Sequence, residues 1–284
     1  MSSWSKTMRA IGDAYAARLK RAFINRARKT DSATSWSEVE KAIPLGPMMV
    51  YNTIQWGKWA PGELLAKAYN AVYNKSSTSL HKEASDQSDV GLYVSEESFK
   101  MPNPEAEAWL YQYSAAEIVE ITLQERKAIS FILGEGQRTG QTYKQTATML
   151  RNTLSLTDKQ AQAVNNYYRK LRADGMTEAQ AQQLAAKYHS KLLKYRSETI
   201  ALTESFTATN TAWSNSIRES VRDGTLSQQE YELYWLTAPD ERRCEICGGL
   251  AGVTGDLNAQ QFDGYGKPPI HPRCRCQMIV QRKK

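Results

Sequence analysis

The chain has 284 residues, of which 41% are hydrophobic, with a mean hydropathy of −0.60 and a formal net charge of +7. This length is sufficient for one large or two modest domains with a substantial core. No apolar run reaches the roughly 18 residues of a membrane span, and the N-terminus lacks the apolar core of a secretory signal. The sequence therefore argues against an integral membrane protein and against a membrane partner.

The positive charge is concentrated near the N-terminus. Residues 1–30 contain eight Lys and Arg side chains and one acid, a balance of +7, so the rest of the chain is neutral. Apolar residues recur at steps of three and four from Trp4 to Phe23, which predicts an amphipathic helix over residues 3–29. Seven basic residues of this segment are candidates for nonspecific contacts with the phosphates of double-stranded DNA: Arg9, Arg18, Lys20, Arg21, Arg26, Arg28 and Lys29. The alternative is a solvated basic face on an ordinary packed helix.

The sequence predicts a mainly α protein with three segments. Residues 1–100 hold the basic helix, followed by an aromatic and Ser-rich region. Residues 101–225 are expected to form an extended helical body. Residues 226–284 are expected to form a small C-terminal α+β module with a short β-strand or hairpin and a zinc knot.

Local signals refine this division. Capping boxes predict helix starts at Ser35–Glu38, Thr157–Gln160 and Thr177–Gln180. Proline and glycine predict an irregular stretch over residues 44–62, followed by a short helix to about residue 74. Serine and charged residues predict a linker over residues 75–100.

The helical body and the module carry further signals. Glycines and serines predict helix breaks at Gly134–Gly136, at Thr139–Gly140, around Ser155, at Asp174–Gly175 and near Ser197. Asp223–Gly224 is expected to end the helical run. Alternation with period two over residues 231–237 predicts a strand that leads into the module.

All four cysteines lie in the last 41 residues, in a Cys-x-x-Cys turn and a His-x-x-Cys-x-Cys turn. Thiolates are soft ligands that suit zinc, and two ligand-bearing turns can enclose a tetrahedral ion. Five donors compete for four places: Cys244, Cys247, His271, Cys274 and Cys276. We favour Cys244, Cys247 and Cys276, with His271 or Cys274 as the fourth ligand. Four protein ligands make a zinc site structural rather than catalytic. The alternatives are two disulfides or free buried thiols.

Several motifs of this region occur together in a known family. They are Trp235-Leu-Thr237, Asp240-Glu-Arg242, Cys244-Glu-Ile-Cys247, Leu250-Ala-Gly252, Pro268-Pro-Ile-His271-Pro-Arg-Cys274-Arg-Cys276, and a helix with Thr203-Glu204 and Asn210. From about residue 195 onward the chain resembles the phage head morphogenesis family, the Mu protein F-like minor head proteins. Leu202 departs from the pattern, because many members have arginine there.

The resemblance implies a minor capsid protein of a tailed bacteriophage, present in several copies per virion. Such a protein would contact the portal protein, the major capsid protein or both. It would act in head assembly, or in genome packaging and ejection. It would lie in the virion, at the capsid interior or portal vertex, and in the host cytoplasm during assembly. The family brings no established enzymatic activity, so we expect no enzyme.

Thr203, Glu204 and Asn210 share one helix face. This polar face is expected to hydrogen-bond to the zinc module or to a neighbouring subunit, or else to lie on a helix surface. Two other functions fit parts of the pattern. One is a zinc-dependent nucleic-acid-binding regulator, and the less favoured one is a metal-dependent nuclease that would use Glu204 with His271.

Overall fold

A computed structural model describes residues 3–85, 104–238 and 243–283 of the chain. The fold is mainly α, as predicted, with a small antiparallel sheet and short helix near the C-terminus. The helices are α1 (Ser3–Ala33), α2 (Trp36–Ala42), α3 (Pro47–Thr53), α4 (Gly62–Ser85), α5 (Pro104–Arg138), α6 (Tyr143–Arg151), α7 (Asp158–Ala173), α8 (Glu178–Arg222) and α9 (Glu245–Gly249). The strands are β1 (Tyr231–Leu236), β2 (Thr254–Gly255) and β3 (Gln277–Arg282), and β1 lies between the other two.

Contacts between segments that are close in space divide the chain into two compact units. Unit 1 consists of Met1–Leu19, Pro61–Gln112 and Thr199–Lys284, and unit 2 consists of Lys20–Ala60 and Tyr113–Glu198. Each unit combines segments that are distant in sequence. The boundary that we predicted near residue 100 lies outside the described residues, and the one at residue 225 falls within a segment of unit 1.

The core of unit 1 joins the N-terminal half of α1 to the sheet. Trp4 of α1 packs against Trp213 of α8, with ring centroids 4.9 Å apart. The same cluster contains Tyr69 of α4 and the inward-facing Leu233 and Trp235 of β1. Buried and half-buried residues alternate along β1, so the period-two prediction for this strand is confirmed. This packing fixes the sheet that carries the C-terminal turns.

Unit 2 is built from helices around an apolar core and contains a buried ion pair. Val39 of α2, Ile132 of α5 and Leu156 in the loop after α6 are among its fully or almost fully buried side chains. The Arg26 guanidinium donates to the Glu125 carboxylate, with an Nη2–Oε2 distance of 2.9 Å, and both side chains are almost fully inaccessible to solvent. Arg26 is thus committed to the interior of the unit.

Several predicted elements are confirmed. The N-terminal helix is present and continues to Ala33, four residues further than predicted. Thr157 and Thr177 each accept a hydrogen bond from the backbone N–H three residues on, as capping boxes require. The long helix α8 ends at Arg222, and Gly224 follows with a φ of +83°. Glycine adopts this left-handed conformation without steric cost.

Other local predictions were wrong. The Ser35 hydroxyl makes no cap bond, although α2 begins directly after it. The stretch predicted to be irregular contains α3, with Pro47 at its first position, where a missing N–H is harmless. Helix α4 continues to Ser85, so residues 75–85 are not a linker, and the remainder of that predicted linker lies outside the described residues.

Three of the five predicted breaks in the helical body are confirmed, because Thr139–Gly140, Ser155 and Asp174–Gly175 lie between helices, and the other two are wrong. Helix α5 runs through Gly134 and Gly136, and α8 runs through Ser197. Gly136 is needed for packing, because a Cβ there would lie 2.5 Å from the Thr146 hydroxyl oxygen. Within the described residues, no helix is long and apolar enough to cross a membrane.

Candidate metal centre

The first ligand turn is organised by the start of α9. Cys244 is the N-cap residue of this helix, and its Sγ accepts a hydrogen bond from the Cys247 N–H at 3.4 Å. A side chain that caps a helix in this way lies over the first turn. The Cys244 and Cys247 sulfurs are therefore held on the same side of a rigid turn.

The second ligand turn leads directly into β3. The Cys274 N–H donates to the His271 carbonyl at 3.1 Å, which closes the turn. Arg273, within the turn, has a φ of +64°. The following strand pairs with β1 from Leu236–Gln277 to Tyr231–Arg282. The Trp235 N–H also donates to the Val253 carbonyl at 2.9 Å, just after α9. Both ligand turns are thus attached to β1.

The structure brings all five predicted donors together. The Cys244 and Cys247 sulfurs lie 3.2 Å and 3.1 Å from the His271 Nε2 atom. The Cys247 and Cys274 sulfurs lie 3.8 Å apart. Two overlapping groups of donors result: Cys244, Cys247 and His271 form one, and Cys247, Cys274 and Cys276 form the other. Cys247 belongs to both groups, so it is the centre of the cluster.

These distances fit a tetrahedral ion of zinc size. Metal–sulfur bonds of about 2.3 Å place two thiolates about 3.8 Å apart, and a sulfur–imidazole pair about 3.6 Å apart. The distance between the Cys247 and Cys274 sulfurs equals the first value. The two distances from His271 Nε2 to the cysteine sulfurs, 3.2 Å and 3.1 Å, are shorter than the expected sulfur–imidazole separation of about 3.6 Å. A small movement of the imidazole would lengthen them. The donor set could therefore hold a metal ion.

The orientation of the His271 ring is set by the backbone. Its Nδ1 atom lies 2.8 Å from the Pro272 carbonyl oxygen. A carbonyl can only accept, so Nδ1 carries the proton and donates to it. This tautomer leaves a lone pair on Nε2, the atom that faces the two cysteine sulfurs. Metal-binding histidines are commonly oriented by such a bond.

The pKa values of the thiols depend on one another. The hydrogen bond from Cys276 lowers the pKa of the Cys274 thiol to about 5, and the same bond raises that of Cys276. Burial, followed by the charge on Cys274, raises the pKa of Cys247 to about 12. Without a cation, one thiolate suppresses ionisation of its neighbours. A divalent ion would reverse this effect and release their protons.

All four cysteines are in the described part of the chain, and all are free thiols. The disulfide alternative therefore does not describe this fold. The nuclease alternative is also disfavoured by the geometry. Glu204 is only 7% exposed, and the His271 Nε2 atom faces sulfurs rather than a carboxylate. A general acid or base needs access to the substrate proton, and Glu204 has little.

With this geometry established, the chain can be compared with known proteins. Residues 173–279 match the family described as phage Mu protein F-like. We call residues 173–279 the F-like domain. The match covers less than half of the chain and supports an assignment to a family of phage head morphogenesis proteins. The chain matches no curated protein and no solved structure significantly.

The F-like domain places the predicted polar face of α8 against the ligand turns. The Thr203 hydroxyl accepts from the Arg273 N–H at 2.9 Å, within the second turn. The Asn210 amide donates to the Cys276 carbonyl at 3.1 Å and to the Phe206 carbonyl at 2.9 Å. Thr203 and Asn210 therefore hold the second ligand turn against α8. Glu204 is buried on the same helix.

Two supporting contacts were not predicted from the sequence. The Trp213 indole N–H donates to the Met278 carbonyl at 2.9 Å and fixes β3 against α8. The Gln260 amide donates to the Ser214 carbonyl at 3.1 Å and fixes the loop between the two ligand turns. Trp213 lies three residues after Asn210, which is a usable signal, since residues three apart share a helix face. Gln260 gives no signal in the sequence.

Replacement of Asn210 by leucine is expected to destabilise unit 1 by about 1–3 kcal/mol. The buried Cys276 carbonyl loses its donor, whereas the number and branching of the side-chain heavy atoms stay the same. The midpoint of chemical denaturation, followed by circular dichroism, measures the loss. Thr207→Val is the control, because within the described part of the chain the Thr207 hydroxyl bonds to the Thr203 carbonyl of its own helix alone. Equal midpoints for the Asn210 variant and the parent would show that this contact contributes nothing.

The candidate DNA-binding residues are in different environments. Arg18, Arg21, Arg28 and Lys29 are exposed, whereas Arg9 and Lys20 are half-buried. Lys20 also pairs with Glu198, at 3.7 Å. Arg26 is buried in its ion pair with Glu125 and is removed from the candidate set, because a buried, paired guanidinium cannot reach a phosphate.

Proposed function

We propose that this protein is a minor head protein that acts at the portal vertex of a tailed bacteriophage. It would contact the portal protein or the major capsid protein and serve in head assembly, or in genome packaging and ejection. The observation that carries the proposal is the F-like family match over residues 173–279, a segment that contains all five clustered donors. Several copies per virion are expected.

The test is the composition of purified heads. If the protein is a minor head component, mass spectrometry of DNA-filled heads should detect it in a small number relative to the major capsid protein. It should also remain attached to the portal when heads are dissociated gently. Its absence from purified heads would overturn the proposal. Sequence-specific binding to a promoter, without incorporation into heads, would favour a regulator instead.

We further propose that the donor cluster binds one structural zinc ion. The His271 Nε2 atom lies close to the sulfurs of Cys244 and Cys247, so we revise the assignment made from the sequence, which favoured Cys276 over His271. Cys244, Cys247 and His271 would supply three ligands, and Cys274 or Cys276 would supply the fourth. Four protein ligands leave no coordination position for a substrate. The ion would join the start of α9 to the turn before β3. It would stabilise a segment whose few short elements offer little apolar surface of their own.

We propose that the exposed basic side chains of α1 contact packaged DNA without sequence specificity. Arg18, Arg21 and Lys29 are exposed at helical spacings of three and eight residues, which places them on one face. The Arg18 guanidinium stacks over the Tyr15 ring at 4.8 Å and remains exposed. Phosphates attract such a row through charge alone.

The triple replacement Arg18→Gln, Arg21→Gln and Lys29→Gln is expected to weaken duplex DNA binding. The slope of log affinity against log salt concentration is negative, and its magnitude should decrease by about 0.9 for each phosphate contact that is lost. Fluorescence anisotropy with a labelled duplex over a range of salt concentrations measures both quantities. A control with Lys127, Lys159 and Lys187 changed to Gln removes the same charge from other exposed positions. Equal slopes for the two variants would mean that the basic row makes no specific contribution.

A further inference from the structure

Unit 2 contains an open cleft with a volume of about 630 Å³, and none of the five metal donors lines it. It lies between the second half of α1, the end of α6 and the first half of α8. Small-molecule sites usually have volumes of about 300–1,000 Å³ and an apolar lining with a few convergent polar groups. The cleft has the size of such a site, so the chemistry of its lining is informative.

The floor of the cleft is apolar. Aliphatic side chains from all three elements line it: Ile24, Ala27, Leu154, Ala186 and Leu193. Such a surface favours a ligand with a hydrocarbon or aromatic body, because apolar contact removes both surfaces from water. Double-stranded DNA has no comparable group on its exterior, so the floor does not suit DNA.

The rim of the cleft is cationic. Four basic side chains line it with one carboxylate, that of Asp31. Arg151 donates to both Asp31 oxygens, at 2.7 Å and 3.0 Å, and Lys20 pairs with Glu198. Arg28 of α1 and Lys194 of α8 also line the cleft, and they have no ion pair among the described residues. They are available for an anionic group.

His189 adds a polar group without adding charge. Its Nε2 atom lies 2.9 Å from the Leu154 carbonyl oxygen and must carry the proton, because a carbonyl can only accept. Burial lowers the pKa of this imidazole, so it is neutral near pH 7. The attraction for an anion therefore comes from Arg28 and Lys194.

We infer that this cleft binds an amphiphilic anion, a molecule with an apolar body and a single anionic head. The body would lie on the aliphatic floor, and the head would lie between Arg28 and Lys194. The inference is independent of the zinc and head-assembly proposals, since no donor residue lines the cleft. A free carboxylate and an anionic lipid share this chemistry, and the experiment separates them.

The test is isothermal titration calorimetry of the full chain with dodecanoate. Dodecanoate is expected to bind, whereas dodecanol, which lacks the charge, and acetate, which lacks the apolar body, should bind at least about tenfold more weakly. Phosphatidylglycerol vesicles provide the lipid comparison. Binding of dodecanoate alone identifies a free amphiphile as the ligand, and binding of both extends the ligand class to lipids.

Two variants probe the rim and the floor separately. The double variant Arg28→Gln and Lys194→Gln should weaken dodecanoate binding about tenfold, because it removes two charged partners of the head group. Its control, Lys6→Gln with Lys187→Gln, changes exposed residues on the same two helices that do not line the cleft. Ala186→Leu should also weaken binding about tenfold by filling the floor, whereas Ala179→Leu, at an exposed position of α8, should not.

Three results would overturn the inference. The first is equal affinity for dodecanol and dodecanoate. The second is unchanged dodecanoate affinity in folded Ala186→Leu protein. The third combines two observations: the parent protein does not bind dodecanoate, and it binds duplex DNA in a way that the Arg28 and Lys194 double variant does not. That result would make the rim a phosphate-binding surface. Circular dichroism of each variant verifies that the fold is retained.

Discussion

Replacement of Cys247 by serine is expected to abolish zinc binding and to unfold the C-terminal module. Cys247 is the one residue shared by both groups of clustered donors, so either choice of four ligands includes it. Complete structural zinc sites contribute roughly 10–16 kcal/mol in small peptides, more than the net stability of many domains. Loss of a shared ligand should therefore cost the module several kcal/mol. Elemental analysis for zinc, combined with limited proteolysis and mapping of the cleavage sites, measures both effects.

Cys274 and Cys276 provide a matched pair of controls. Both thiols are 2% exposed, and Cys247 is 3% exposed, so replacement by serine changes packing to a similar extent at all three positions. If four ligands hold one ion, either Cys274→Ser or Cys276→Ser should retain zinc and protease resistance, and the other should lose both. That outcome would also identify the fourth ligand. Retention of one zinc ion and full resistance by Cys247→Ser protein would contradict the proposed site.

The convergence of the metal donors could be predicted because it depends on short-range spacing. Cys244 and Cys247 are three residues apart, and so are His271 and Cys274, which predicts two tight turns whatever the surrounding fold. The choice among five donors could not be predicted. It depends on how β1 aligns the two turns, and pairing between residues 231 and 282 is a tertiary property.

The continuity of α8 could not be predicted, because its serine and threonine residues resemble those of a loop. The structure satisfies these hydroxyls inside the helix. Thr203 and Thr207 each donate to the carbonyl four residues earlier, at 2.8 Å, and Ser216 does so at 3.1 Å. Such bonds allow hydroxyl side chains to be buried in a helix without a partner elsewhere. The low helix propensity of serine and threonine therefore predicts more breaks in the helical body than the structure contains.

The basic N-terminal segment shows the limit of charge counting. The apolar periodicity from Trp4 to Phe23 correctly predicts the buried face of α1. The count of positive charges includes Arg26, although this side chain is buried. Its position three residues after Phe23 is on the buried face, but its partner Glu125 is 99 residues away in sequence and cannot be identified from the helix alone. Long-range ion pairs of this kind cannot be recognised from a local pattern.

Replacement of Glu125 by alanine is expected to destabilise unit 2 by about 3–5 kcal/mol. The Arg26 guanidinium would remain buried without its counter-charge, and the cost of an uncompensated buried charge is of this size. The Gly57 carbonyl, which accepts from the Arg26 Nε at 3.2 Å, offers only partial compensation. Denaturation followed by circular dichroism, with probes in each unit, would locate the loss in unit 2.

Two comparisons establish whether the loss comes from the unpaired charge. Glu38→Ala breaks an exposed ion pair with Lys41 in the same unit and should leave the denaturation midpoint nearly unchanged, because solvent screens this pair. The double variant Arg26→Met with Glu125→Leu removes both buried charges and fills their space with apolar atoms. It should be markedly more stable than Glu125→Ala, since desolvation of the two ions is no longer required. If the double variant were as unstable as Glu125→Ala, the loss would come from packing around Glu125 and not from an isolated arginine charge.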